Sequence, residues 1–438
     1  MKKLIYTFAL VLIVHCTLNI EKCFSQWTTV NLGTTNKLSA VSMPERTSSI
    51  VWIVGENSST GAPFLYKSTN SGVNFTTVTT FPSGFIAPRY MRLWDTNSTI
   101  IGGYPGLINT SNGGVNWTYL YNSSGIDTSM FVSISFGVNG SVWAVGNVVV
   151  GQSFSVPIVI REATTTFKRL TLPGSWSTYR LSSVWAKDSN NCVISTVTSS
   201  PGVILKTTNG GINWTNYSIA METWSLIGDD VNNDIIAVGQ SSGASTIFKS
   251  TDFGSTWINV YTNAGTGVLY ATGEEFIRDT MYAVGQNGMV ARSVNGGTTW
   301  ARQTTGIANN LNCVYNGHHQ QIFAIAVGEN GTVIRTTNSG VWVQNISTEM
   351  PLAFSLSQNY PNPFNPSTSI RYELPKNGFV RLVVYDALGR EVETLINEKQ
   401  SPGTYEVNWD ATVYPSGVYF YKLTTEGFSE TKKMMLLK

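Results

Sequence analysis

Charge is scarce in this sequence. Asp, Glu, Lys and Arg together make up 12% of its 438 residues, about half the share usual in a soluble domain, and the two signs nearly cancel. The formal charge of +2 counts Lys2, Lys3, Lys22 and Glu21; without that N-terminal stretch, 25 basic side chains face 25 acidic ones. A neutral chain with no basic cluster has no electrostatic footprint for nucleic acid, and none is expected as a partner. Cysteine is as thin: beyond the N-terminal segment only Cys192 and Cys313 remain. They fall in different repeats and read as buried free thiols rather than a disulfide scaffold. Of three histidines, His318 and His319 sit together in NGHHQQ, where an exposed turn is the simplest reading. No metal and no cofactor are expected. No segment after the first 25 residues approaches the ~20 apolar residues that span a bilayer, so the mature chain has no transmembrane segment.

The N-terminal stretch MKKLIYTFALVLIVHCTLNIEKCFSQ has two lysines, an apolar run from Leu4 to about Val14 and a cut after Ser25. This order of parts reads as a secretory signal peptide, residues 1–25. A lipoprotein reading of Cys16 or Cys23 is weaker, because His15 and Lys22 stand where a small residue belongs.

What is abundant is glycine, with 40, and tryptophan, with 13, and much of both recurs in one phrase. NTSNGGVNW (109–117) and KTTNGGINW (206–214) are near-copies; KSTNSGVNF (67–75), KSTDFGSTW (249–257) and RSVNGGTTW (292–300) are looser ones. The closing aromatics Phe75, Trp117, Trp214, Trp257 and Trp300 are 42, 97, 43 and 43 residues apart, so the long interval hides a degenerate copy, REATTTF ending at Phe167. RTTNSGVWV adds a weak copy with Asn338, Gly340 and Val343 in register. Apolar runs closing on a small residue (VWIVG, TIIGG, VWAVG, CVIS, IIAVG, MYAVG, AIAVG) recur 43 to 49 residues apart and also count seven. An alternating stretch such as LSAVSM or LSSVWA opens each unit. Four short strands per unit, with a period in the forties, describe the blades of a propeller. WTTVNL (27–32) resembles the segment after each box and is expected to supply the outer strand of blade seven, latching the ring.

Within each box the third position is Asn70, Asn112, Asn209, Asp252, Asn295 or Asn338, able to bond nearby backbone amides. Gly72, Gly114, Gly211, Gly254, Gly297 and Gly340 stand where a positive φ is expected. The aromatic is expected to wedge between neighbouring sheets. The phrase is architectural.

These motifs resemble the Asp-box, or BNR repeat, of sialidases and of seven-bladed photosystem II assembly and stability factors. The resemblance covers roughly residues 27–347, with Asn mostly in place of Asp. It implies a propeller and leaves activity open. A sialidase would need an arginine triad, a Tyr–Glu nucleophile pair and an acid Asp. The propeller's arginines show no such motif, and adjacent strand residues like Glu274 and Glu275 point to opposite faces. A sialidase-like glycoside hydrolase is therefore the alternative reading.

The interval from each strand-two glycine to the box aromatic varies most, which places variable loops such as SSTGAP and VVVGQSFSVP on one face. Variable loops gathered on one face commonly mark the binding face. The inter-blade connections there carry Arg89 and Tyr90, then Trp176, Tyr179 and Arg180, then Glu222 and Trp224, groupings suited to protein or glycan contact. Two look-alikes fail on context. GQSSG (239–243) lacks the strand-to-helix turn of a nucleophile elbow, and DDVNND (229–234) lacks the glycine and closing Glu of a calcium loop.

After STEMP the composition changes. LSQNYPNPFNPSTSIRYELP is proline-dense, and several alternating strands follow over about eighty residues, suggesting a β-sandwich. YPNPFNP (360–366), VYDALGREV (384–392), YPSGVYFYKL (414–423) and the terminal KKMMLLK make this stretch strongly similar to the C-terminal sorting domain of type IX secretion substrates. That resemblance implies Sec export, passage through the type IX translocon, and a sorting peptidase as partner of residues 348–438. The expected chain is all-β: a signal peptide (1–25), a seven-bladed propeller (26–347), and a small Ig-like sandwich (348–438). Its expected role is a secreted or cell-surface, non-catalytic binding module for a protein or glycan.

Overall fold

The computed structural model describes residues 27–438 apart from 45–48, 79, 124–128, 139, 151–152, 164–165, 174–175, 177–178, 198–200, 266, 274–279, 317–322, 337–342, 348–349 and 412–413. Seven four-stranded antiparallel sheets follow one another along the chain. Blade one is Lys37–Ser42, Val51–Glu56, Pro63–Ser68 and Thr76–Val78, and the same order, innermost strand first, holds through blade six, which ends at Ala301–Gln303. Blade seven takes three strands from Leu311–Asn316, Ala324–Gly328 and Val333–Thr336, and its fourth from Thr28–Thr29, pairing Thr28 with Arg335 and Thr29 with Ile334. The expected latch is therefore present. It covers the outer edge of Val333–Thr336 and so ties the start of the propeller to its last sheet.

A four-stranded sheet with apolar residues on both faces is stable only when both faces are covered, and here seven separate clusters fill the seven gaps between neighbours. Each gap receives one closing aromatic. Phe75, Trp117, Phe167, Trp214, Trp257 and Trp300 enter six of them. The seventh receives Trp27, which is fully buried, donates its Nε1–H to Gln303 Oε1 at 2.9 Å and meets Tyr282 edge-on at 5.4 Å. Trp27 thus fills the role that the repeat register had offered to Val343.

The box is a turn between the third and fourth strands. In four of the copies the indole Nε1–H returns to the box glycine's own carbonyl, as from Trp214 to Gly211 at 3.1 Å. The five described box glycines have φ between +72° and +85°. Asn70, Asn112, Asn209, Asp252 and Asn295 each accept the amide four residues on, for example Asn213 N–H to Asn209 Oδ1 at 2.9 Å. The sequence reading missed a second acceptor: the hydroxyl two residues earlier (Ser68, Thr110, Thr207, Ser250, Ser293) takes the amide of the box glycine at 2.9–3.0 Å. Asn338 and Gly340 lie outside the described residues. In blade three the corresponding strands pair as far as Ala163 and Thr166.

The remaining strands form a sandwich of two four-stranded sheets. One is ordered Val343–Ser347, Gly403–Asp410, Ser367–Leu374, Ser355–Leu356; the other Glu391–Gln400, Gly378–Asp386, Gly417–Thr425, Phe428–Leu436. Their shared core includes Phe364, Tyr372, Trp409 and Tyr421. Strand Val343–Ser347 was grouped with the propeller in the sequence reading, yet its ladder partner is Gly403–Asp410 in the sandwich.

Candidate binding channel

The box turns and the first hairpins share one end of the ring, since Gly113 N–H bonds Asn97 O, Gly210 N–H bonds Asn190 O, and Phe253 N–H bonds Asn233 O. The second-to-third-strand loops share the other end with the inter-blade connections, as the Ala87 N–H to Gly61 O bond shows. The two faces of the sequence reading are therefore physically distinct.

Between them runs a channel of about 1110 Å³ lined by the seven inner strands. Every inner strand carries a bulge near its start: the register shifts between Leu38 and Ala40, Ile86 and Tyr90, Phe131 and Ser133, Leu181 and Ser183, Thr223 and Ser225, Leu269 and Ala271, and Leu311 and Cys313. A bulge leaves one residue unpaired and re-aims its side chain. Six of the shifts skip one residue and that of blade two skips Ala87, Pro88 and Arg89; of the skipped residues Ser39, Arg89, Val132, Ser182, Trp224, Tyr270 and Asn312 line the channel, one from each blade.

This collar has two unlike arcs. On one, Trp224 meets Tyr270 edge-on at 5.3 Å and Arg180 lies over the Trp224 ring at 5.9 Å. On the other, Arg89 pairs with Glu56 at 2.6 Å, Lys37 lies 3.9 Å from Glu56 and 3.6 Å from Glu329, and Asn312 donates to Glu329 at 3.1 Å. Below the collar, serine hydroxyls tie one inner strand to the next: Ser42 accepts Leu93 N–H, Ser133 accepts Val184 N–H, and Ser183 accepts Leu226 N–H. At the box face the mouth is lined by Trp94, which is 41% exposed and contacts Phe136 edge-on, by exposed Val138 and Val231, and by Asp229 and Asp230. Partial desolvation at the mouth, with Asp229 beside it, holds the Asp230 carboxyl above the usual range against the pull of Lys187 and Arg92.

Of the residues singled out from sequence, Arg89, Tyr90 and Trp224 line the channel and Arg180 lies over the Trp224 ring. Trp176 is buried and Tyr179 packs with it in the gap between blades three and four. Glu222 accepts from Gln240 Nε2 at 2.7 Å. GQSSG is a two-residue hairpin, with Ser241 paired to Ala244 and Ser242 and Gly243 at positive φ. In DDVNND the Asp229 carboxylate is used by Val231 N–H and Asn232 Nδ2, as turn chemistry expects. Cys192 is buried, but Cys313 is only half-buried and lines the channel, which corrects the expectation of two buried thiols. Glu274, Glu275, Arg46, Arg278, His318, His319 and the expected signal peptide with Cys16 and Cys23 lie outside the described residues.

No curated protein sequence matches the chain. Among solved structures it is similar to YCF48 from Cyanidioschyzon merolae, with 16% identity, coverage of 71% of this chain and 98% of that one, and a TM-score of 0.51. U3-55K gives 9% identity, 71% and 98% coverage and a TM-score of 0.52. The extracellular domain of the putative hybrid two-component system BT3049 from B. thetaiotaomicron gives 10% identity, 94% and 57% coverage and a TM-score of 0.51. At such identities the likeness is one of fold. Residues 358–437 match the family model described as secretion system C-terminal sorting domain. The chain is a seven-bladed β-propeller that carries a type IX secretion sorting domain at its C-terminal end.

Proposed function

We propose that the propeller is a non-catalytic binding module for a protein or glycan, exported to the cell surface or the medium, with a cleavable signal peptide at residues 1–25 and the type IX translocon and its sorting peptidase as partners of the C-terminal domain. The observation that carries this reading is the collar. Seven bulges bring one side chain per blade to a common channel, pairing an aromatic arc with a charged one. Aromatic faces suit sugar rings or apolar side chains, and paired charges with hydroxyls supply directional contacts. A related fold solved as YCF48 bound to D1 peptide, at 16% identity and a TM-score of 0.50, favours a peptide among these ligands. Arg89 is engaged by Glu56 and Arg180 lies on Trp224, which does not resemble an arginine triad open to a substrate carboxylate.

The test is a glycan array and a surface-protein pull-down with the intact chain. A ligand captured by the wild type should lose at least tenfold in affinity with Trp224→Ala and with Arg180→Ala, the latter at an exposed position that keeps the fold. Unchanged affinity in both variants would remove the collar as the site. Turnover of a fluorogenic sialoside, abolished by changing Asp229, Asp230 or Glu329, would replace the binding reading with a hydrolase.

A further inference from the structure

In four blades a cation on the third strand reaches across to the next blade's turns. Lys67 donates to Gly113 O at 2.7 Å, Arg161 to Ser189 O at 2.6 Å, Lys206 to Ser255 Oγ at 2.8 Å and Lys249 to Gly296 O at 2.8 Å. Arg292 holds the same position in blade six, and its partner is different. Its NH1 donates to Glu393 Oε1 at 2.8 Å, and Glu393 belongs to the sorting domain. The pair is sealed: the two side chains are 11% and 5% exposed. The second carboxylate oxygen of Glu393 accepts Trp409 Nε1–H at 2.9 Å and lies 3.2 Å from the Tyr414 hydroxyl.

A second tie runs through the backbone. Val343–Ser347 precedes the connector in the chain, yet it forms the edge of a sandwich sheet, with Val343 opposite Val407, Gln344 opposite Glu406, Asn345 opposite Tyr405 and Ser347 opposite Thr404. The family match begins only at residue 358, so this strand lies outside the matched unit and covers the edge of Gly403–Asp410. Between the ties, Met350 is 71% exposed and Leu352 is 103% exposed.

We propose that a cut in the exposed connector at 350–352 does not release the sorting domain: the propeller side keeps its strand Val343–Ser347 in the sandwich sheet and its Arg292 on Glu393, so the two pieces stay together as a nicked complex. A strand added to a sheet edge contributes a run of main-chain hydrogen bonds, the mode by which many extended peptides bind folded domains. Breaking a sealed ion pair leaves a buried charge without its partner, which slows opening. Separation of the export signal is then a second step after proteolysis, with its own rate.

The experiment inserts a site for a sequence-specific protease between Met350 and Pro351 of the full chain, cuts to completion as judged on a denaturing gel, and follows the pieces by gel filtration. Co-elution is expected. Separate elution of the cut wild-type chain would overturn the proposal. In the cut chain, Arg292→Gln and Glu393→Gln should each speed dissociation at least tenfold, measured by dilution of a fluorescently labelled sorting piece. An unaltered dissociation rate in both would remove the ion pair from the latch. The uncut variants, compared with wild type by thermal unfolding, serve as folding controls; if Arg292→Gln fails this control, Glu393→Gln carries the test from the other side.

Discussion

Gly211→Ala isolates the box turn as a packing device. Gly211 has φ +82°, and a Cβ built there would lie 2.5 Å from Leu170 Cδ1 of the preceding blade and 3.3 Å from Trp214 Cζ2. Two costs then add. Holding an L-residue in the left-handed region costs roughly 1–2 kcal/mol. Forcing a methyl group into a filled gap costs roughly 1–3 kcal/mol more, so the variant should lose about 2–5 kcal/mol. Gly243 separates the two terms, because it has φ +78° and nothing within 4 Å of its Cβ position; Gly243→Ala should show the backbone cost alone, about 1–2 kcal/mol. Urea unfolding of both variants, followed by tryptophan fluorescence, gives the comparison. Equal losses would mean that the gap between blades three and four tolerates a methyl group, and that the box glycine serves the turn without serving the packing of one blade on the next.

Two further perturbations probe the channel wall. Ser183→Ala removes the acceptor of the buried Leu226 N–H at 3.0 Å; an orphaned buried amide costs about 1–3 kcal/mol, and faster hydrogen exchange at Leu226 would report it, whereas unchanged exchange and stability would show that this tie is replaceable. Asp230 tests the box-face mouth by pH. Its carboxyl is held above the usual range chiefly by partial desolvation, so its protonation favours the folded state, and that contribution is complete below the ordinary carboxylate range and lost as pH rises through the raised value. Asp230→Asn should therefore stabilise the chain at neutral pH and flatten the acidic limb of its stability profile; destabilisation at pH 7 would contradict the desolvation argument.

The ring was legible because its signals are local. A turn that needs a positive φ, a nearby acceptor and a closing aromatic must spell them within nine residues, and five of the seven gaps are closed by such a turn. The same logic exposed Thr28–Thr29 as the latch, since WTTVNL repeats the segment after each box. Locality also explains the misplacement of Val343–Ser347. Its sequence continues the seventh box in register, and nothing in five residues says whether the ladder partner is a blade or the sandwich. That choice was settled by Trp27, which occupies the aromatic's place in the seventh gap, and by the edge of Gly403–Asp410, which pairs with the displaced strand. The ladder partners lie 57 to 64 residues away in sequence, and Trp27 far further.

The collar was less legible, although its cause is written in the chain. The glycine closing VWIVG, VWAVG, IIAVG, MYAVG and AIAVG reads as the end of a strand. In the structure Gly55, Gly146, Gly239, Gly285 and Gly328 lie opposite the residue just before each bulge. A Cβ on any of them would run into the backbone carbonyl of Lys37, Met130, Glu222, Val268 or Asn310. Glycine within a strand marks close backbone approach or a bulge, and here it does both. The glycine lets the inner strand press inward, the bulge forms beside it, and the following side chain turns into the channel. In these five blades one glycine on the second strand thus sits beside the first-strand residue that lines the channel, whereas blade four makes the same bulge with Thr196 opposite Leu181. Trp224 and Tyr270 reach the channel by this rule, whereas Trp176 and Tyr179, chosen from sequence for their grouping with Arg180 in an inter-blade connection, have no such glycine opposite them and pack into the gap between blades.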